Sequence, residues 1–183
     1  MRLLCRFALH LACVGSLLCC VSSVSAQGSA QTPAHNRASL QDPPPRPAAS
    51  EASERARAFL LAVRDDDAEA ALAFFLPRDA FRLIKGVTDP DRFYDRLVRR
   101  FRADLHALHQ AHPELAEARF LRVELSRRRG WVRPRQEANR LPYWSVRHSR
   151  LVYEVAGQER SFELRTLITW DDHWYLTHLG EFH

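Results

Sequence analysis

Ala52, Ala56, Phe59, Leu60 and Val63 recur at helical spacing behind Ser50, which is placed to cap a first amphipathic helix. Asp65-Asp66-Asp67 interrupts that pattern, and one of these acids is enough to cap a second helix from Ala68 to Leu76, stopped by Pro77. A calcium loop would need alternating acids, a glycine and a distal glutamate, which this stretch lacks. A third helix opens on Asp89 as cap, with Pro90 in its first turn and Asp91 beside the positive end of the dipole. Phe93, Leu97, Phe101, Leu105 and Leu108 carry its apolar stripe to the break at Pro113. Beyond that point the period shortens, and five strands are predicted near 118–126, 130–137, 145–155, 160–170 and 174–182. Three helices followed by an antiparallel sheet define an α+β layout.

The chain ahead of these elements has a different character. Arg2 and Arg6, an apolar run from Phe7 to Val21 and the small-residue ending Val24-Ser25-Ala26 form the pattern of a secretory signal peptide over residues 1–26. The expected location is therefore the periplasm or the medium, and no later stretch is apolar enough to span a membrane. Residues 27–50 hold Leu40 as their one large aliphatic and include Pro43-Pro44-Pro45 and Pro47, which reads as a disordered, partly polyproline tether. Residues 51–183 are then a single domain of ordinary size.

All four cysteines, Cys5, Cys13, Cys19 and Cys20, fall in the signal segment. Cleavage after Ala26 removes disulfides, thiolate catalysis and cysteine-ligated metals together. The rival is a lipid anchor on Cys19 or Cys20, although Leu17-Leu18-Cys19-Cys20 fits a lipidation box poorly. Cleavage also takes the basic count from 27 to 25 against 22 acids, a net charge of +3 instead of +5. Lys85 is the only lysine; every other side-chain cation is arginine, a pattern that GC-rich coding explains and that still suits carboxylate or phosphate partners.

Pairing Trp170 with Trp174 across a three-residue turn sets Ile168 opposite Leu176, Thr166 opposite His178, Leu164 opposite Gly180 and Phe162 opposite Phe182. A two-residue turn at Gly157-Gln158 sets Tyr153 opposite Phe162, Leu151 opposite Leu164 and Ser149 opposite Thr166. Ser149, Thr166 and His178 then form a polar row on an otherwise apolar face, with Arg147, Tyr153, Trp170 and Trp174 as further candidates for lining a pocket there. His178 is the natural proton carrier of such a site. A Ser149 nucleophile is disfavoured, since two strand spacings put its backbone about 9–10 Å from that of His178. The plainer account of His178 is a core histidine satisfied by neighbouring hydroxyls.

His106, His109 and His112 follow one another at three-residue intervals near the end of the third helix. The first and third are displaced by about 120° around the axis, so the row reads as a helix end with histidines at the negative pole rather than as a metal site. Arg127, Arg128, Arg129, Arg133 and Arg135 crowd the first predicted β-hairpin, where Pro134 marks an edge strand. In an exported protein such a cluster points to anionic envelope polymers instead of nucleic acid. The sequence contains no G-x-S-x-G elbow, H-E-x-x-H helix, Walker loop or dinucleotide fingerprint, and nothing in it calls for a cofactor.

The segment Phe162-Glu163-Leu164-Arg165-Thr166-Leu167-Ile168-Thr169-Trp170, a turn and Trp174-Tyr175-Leu176, preceded by Ala58-Phe59-Leu60-Leu61-Ala62-Val63 and Asp66-Asp67-Ala68-Glu69-Ala70-Ala71, resembles the NTF2-like (SnoaL-like) superfamily. The resemblance runs from Ala52 to Phe182 and implies a cystatin-like cone fold, a tendency to homodimerise and a ligand pocket at the cone mouth. The expected function is a non-catalytic module binding a small molecule or an envelope protein. The alternatives are an anion-binding module acting through the Arg127 to Arg135 hairpin, or a small cofactor-free enzyme using His178 with Arg147 or Tyr153 as helper.

Overall fold

The computed structural model describes residues 43–180, so the predicted signal peptide, most of the tether and Phe182 lie outside the described residues. Helices α1 (Ala49–Arg64), α2 (Ala68–Ala71), α3 (Arg78–Ile84) and α4 (Pro90–Ala111) lead through a 3-10 turn (Pro113–Glu117) into strands β1 (Arg119–Glu124), β2 (Arg129–Val132), β3 (Tyr143–Val155), β4 (Gln158–Trp170) and β5 (His173–His178). The strands form one open antiparallel sheet in the order β1-β3-β4-β5, with β2 also on β3. The α+β layout and the five antiparallel strands are as the pattern predicts, except that β2, expected to run to 137, ends at Val132.

The apolar spacing of α1 places Ala52, Ala56, Phe59, Leu60 and Val63 in the core, as expected. Ser50 is not its cap: the helix begins at Ala49, and the cap position, Ala48, makes no side-chain hydrogen bond. Asp67 does cap α2, its Oδ1 accepting from the amides of Glu69 and Ala70 at 3.1 and 2.9 Å. That helix ends at Ala71 instead of Leu76, because residues 74–76 are drawn into pairing with β5. Leu76 N donates to Leu176 O and Leu176 N to Phe74 O, both at 2.9 Å, which covers the outer edge of β5. Pro77 then precedes an additional helix, α3, instead of merely closing α2. Asp89 caps α4 through the Arg92 amide at 3.0 Å. The buried face of α4 is carried by Tyr94, Leu97, Val98, Phe101 and Leu105, with Phe93 and Leu108 only partly covered.

β1 and β2 do not form the expected hairpin. They follow one another along the same edge of β3, β1 on Arg150–Glu154 and β2 on Tyr143–Val146. Ser126 N donates to Ser149 Oγ at 3.2 Å and Arg147 N to Arg128 O at 3.0 Å, holding the interruption between them in place.

The β3–β4 turn sits one residue before its expected position, and the β4–β5 turn is one residue shorter than expected. Val155 pairs with Gln158, leaving Ala156-Gly157 as the turn at φ 49° and 76°. Trp170 pairs with His173, leaving Asp171-Asp172 as a turn at φ 50° and 60°. Two positive φ values in a two-residue loop match the twist of the flanking strands. In consequence Ser149 faces Leu164, Tyr153 faces Arg160, and Arg147 takes the place opposite Thr166. A bulge between Thr166 and Leu167 then restores the Thr166–His178 pair. β5 stops at His178, where Gly180 N turns to donate to Asp104 Oδ2 at 3.1 Å.

The tether expected to run to Ser50 ends sooner. Residues 43–48 are followed directly by α1, and their carbonyls are used: Trp144 Nε1 donates to Pro44 O at 2.9 Å and Trp174 Nε1 to Pro47 O at 3.2 Å. Glu51 continues this join, accepting from the Trp174 amide and lying 2.6 Å from His173 Nδ1.

Candidate functional site

A cleft of about 380 Å³ opens between the sheet and the α3–α4 pair. Its floor is aromatic, because the turn after α2 and the starts of α3 and α4 converge there. Phe81 stacks on Phe93 at 5.7 Å and meets Tyr94 edge-on at 5.6 Å, while Phe75 lies 6.1 Å from Tyr94. The Tyr94 hydroxyl donates to Leu76 O at 2.8 Å, fixing the turn to α4. The sheet supplies the opposite wall with Ile168, and with Thr166 and His178 in register on neighbouring strands.

The rim is polar and mostly cationic. The C-terminus of α3 is clamped to the loop between β2 and β3: Gly86 N donates to Ala138 O and Arg140 N to Ile84 O, both at 2.7 Å. A side chain at Gly86 would meet Ala138 O at 3.3 Å, so the close approach favours glycine. The clamp brings Lys85 over β3, where Nζ donates to Asn139 Oδ1 at 2.7 Å and to the Tyr143 hydroxyl at 3.2 Å. The Tyr143 hydroxyl also meets Glu137 Oε2 at 3.3 Å, and Arg147 donates to Glu137 Oε1 at 2.9 Å. Burial pushes Lys85 below the ordinary lysine value, partly offset by the charge of Glu137. Burial likewise pushes the Tyr143 phenol up. His178 is lowered to about 4, first by burial and then by the charge of Lys85, with Arg147 and Arg165 adding to this and Asp104 partly opposing it. At neutral pH its imidazole is uncharged, with Nδ1 3.1 Å from Thr177 Oγ1.

Of the residues expected at a pocket, His178, Thr166 and Arg147 line this cleft. Ser149 does not, being fully buried with Oγ bonded to Ser126 N. Trp170 and Trp174 are core residues. Tyr153 lies in a different cluster, donating to Glu114 Oε1 at 2.9 Å beside His112. Burial raises the Glu114 carboxyl, but its own backbone amide, His112 and Tyr153 outweigh that and hold it at about 2. Burial, followed by the bond to Glu114, takes Tyr153 up to about 12. His106 and His109 are engaged separately, 2.7 Å from Asp66 Oδ2 and 3.0 Å from Val63 O. Thus the three histidines join α4 to three different partners.

The arginine cluster is divided. Arg127 and Arg128 precede β2 and Arg133 and Arg135 follow it, with Arg129 as its first residue. Of these, Arg128 borders a shallow depression that it shares with Glu137, Arg147 and His148. Lys85, Glu137, Tyr143, Ser145, His148, Arg165 and Thr177 are polar cleft residues that the pattern of the sequence leaves unmarked. The one available signal was that Lys85 is the sole lysine.

The fold and the site together define an α+β protein with a mixed apolar and cationic cleft at the helix–sheet junction. No family model, no curated protein and no solved structure matches the chain.

Proposed function

We propose that this chain is an exported, non-catalytic binding module of the NTF2-like kind, holding a small molecule in the cleft between α3, α4 and the sheet. The cleft is the observation that carries the reading: an aromatic floor gives area for an apolar body, and a few convergent polar groups at the rim give orientation. The order of helices and antiparallel strands supports the NTF2-like assignment, and the composition of residues 1–26 supports export to the periplasm or medium.

An anion-binding envelope module acting through Arg127 to Arg135 is the weaker reading, since those residues flank β2 instead of forming one hairpin patch. The enzymatic reading has one observation in its favour, the placement of His178 inside the cleft beside Thr166 and Thr177. A histidine held near 4 is, however, a weak base at neutral pH.

Native mass spectrometry tests the proposal. The exported protein is expected to carry one small molecule, or to take up one equivalent from a mixed library, and to lose it when Ile168→Trp fills the cleft. Absence of any stoichiometric adduct from both sources would overturn it.

A further inference from the structure

The charges of the cleft do not balance. Its lining includes Lys85, Arg147 and Arg165 against a single carboxylate, that of Glu137. Arg165 is turned towards Glu163 and His148, each at 3.5 Å. Lys85 instead donates to two neutral acceptors, Asn139 Oδ1 and the Tyr143 hydroxyl, and makes no ion pair among the described residues. An ammonium enclosed this way lacks the counter-charge that burial normally demands.

Glu137 partly supplies it. Its carboxylate bridges Arg147 and the Tyr143 hydroxyl, and that hydroxyl in turn receives Lys85 Nζ. The position is held by a loop in which Arg135, Glu137 and Ala138 all adopt positive φ, at 70°, 50° and 57°. Residues with a Cβ resist that conformation, and such strain gathers where a segment serves a ligand or a switch. The side chains of Glu137 and Arg147 are 46% and 59% exposed, so this carboxylate can leave without opening the core. It marks the place of a carboxylate at the mouth of an apolar cleft.

On the reading that the cleft binds a small molecule, we infer that its occupant is an amphipathic carboxylate: the head group displaces Glu137 from Arg147 and Tyr143, and the apolar body lies on Phe75, Phe81 and Phe93. At roughly 30 Å³ per water, the cleft has room for about a dozen heavy atoms, the size of a medium-chain or aromatic acid. The charges that Lys85, Arg147 and Arg165 project onto His178, which help to depress its basicity, are the field that such a head group would meet.

Calorimetric titration of the exported chain with octanoate, octanol and octylammonium, for the natural protein and Glu137→Gln, decides the matter. Octanoate is expected to bind one to one, octanol about tenfold more weakly, and octylammonium not at all. Glu137→Gln, which removes the competing carboxylate while keeping an amide in its place, is expected to tighten octanoate about tenfold and leave octanol unchanged. If octanol or octylammonium binds as well as octanoate, or if Glu137→Gln fails to tighten octanoate that does bind, the carboxylate inference is overturned and the binding-cleft reading stands. If none of the three probes binds either protein, the carboxylate inference is overturned, and the binding-cleft reading is decided separately by the native mass spectrum.

Discussion

At His178 burial removes water from the imidazolium and the charges of Lys85, Arg147 and Arg165 repel it, which together outweigh the opposing attraction of Asp104. Its folded value of about 4 lies below the ordinary 6.5, so the unfolded chain binds the proton more readily between those limits. Stability from this group is therefore complete above about pH 6.5 and is lost as the pH falls towards 4, by up to about 3 kcal/mol. The imidazole resonance of His178 should titrate near 4, and His178→Gln should flatten the fall in Tm over that interval. An ordinary titration near 6.5 would show that the ring is solvated and outside the field of Lys85 and Arg147. Lys85 illustrates the reverse difficulty for sequence reasoning. A lone lysine among arginines has a coding explanation, and only the clamp from Ile84 and Gly86 to Arg140 and Ala138 of the β2–β3 loop reveals that its ammonium is enclosed.

At the scale of elements, the strands and the long helices were legible because their apolar periods are long and unbroken. The errors came from single-residue turn geometry and from pairings distant in sequence. Gly157 marks the β3–β4 turn, but as its second residue, with Ala156 accepting a positive φ ahead of it. That shift of one place replaced Ser149 by Arg147 opposite Thr166 and changed a hydroxyl row into a cationic one. The Thr166–His178 pair was recovered only because a bulge compensates the shortened Asp171-Asp172 turn. The early end of α2 reflects the attraction of residues 74–76 to the open edge of β5, which no local propensity reports. Similarly, residues 43–47 have the composition of a tether, yet the carbonyls of Pro44 and Pro47 serve indole donors of the sheet. A chain beginning at Ala48 should thus be less stable than one beginning at Pro43, by about 1 kcal/mol for each indole left to water. Denaturant midpoints of the two truncations measure this, and equal midpoints would assign the segment to the tether after all.

For the molecule as a whole, the arrangement separates structural from ligand-directed chemistry. One end of the sheet spends its polar groups on itself, with Glu114, His112 and Tyr153 closed into a bonded cluster. The other end keeps Lys85, Arg147 and His178 around a cleft whose single lining carboxylate is on a strained loop. The helices serve this division, α3 and α4 furnishing the aromatic floor while α1 packs the core. The proposed export would bring this cleft to the small molecules of the envelope or medium.

The most direct test uses the single lysine. In protein labelled with 13C-lysine, Lys85 gives one side-chain Cε resonance, and its titration can be followed with and without octanoate. The account predicts that Lys85 titrates below the ordinary lysine value in the free protein, because burial disfavours its charge, and that octanoate shifts the resonance saturably and raises that value. A resonance that titrates like an exposed lysine and does not respond to octanoate would contradict the claim that this cleft is built to receive a carboxylate.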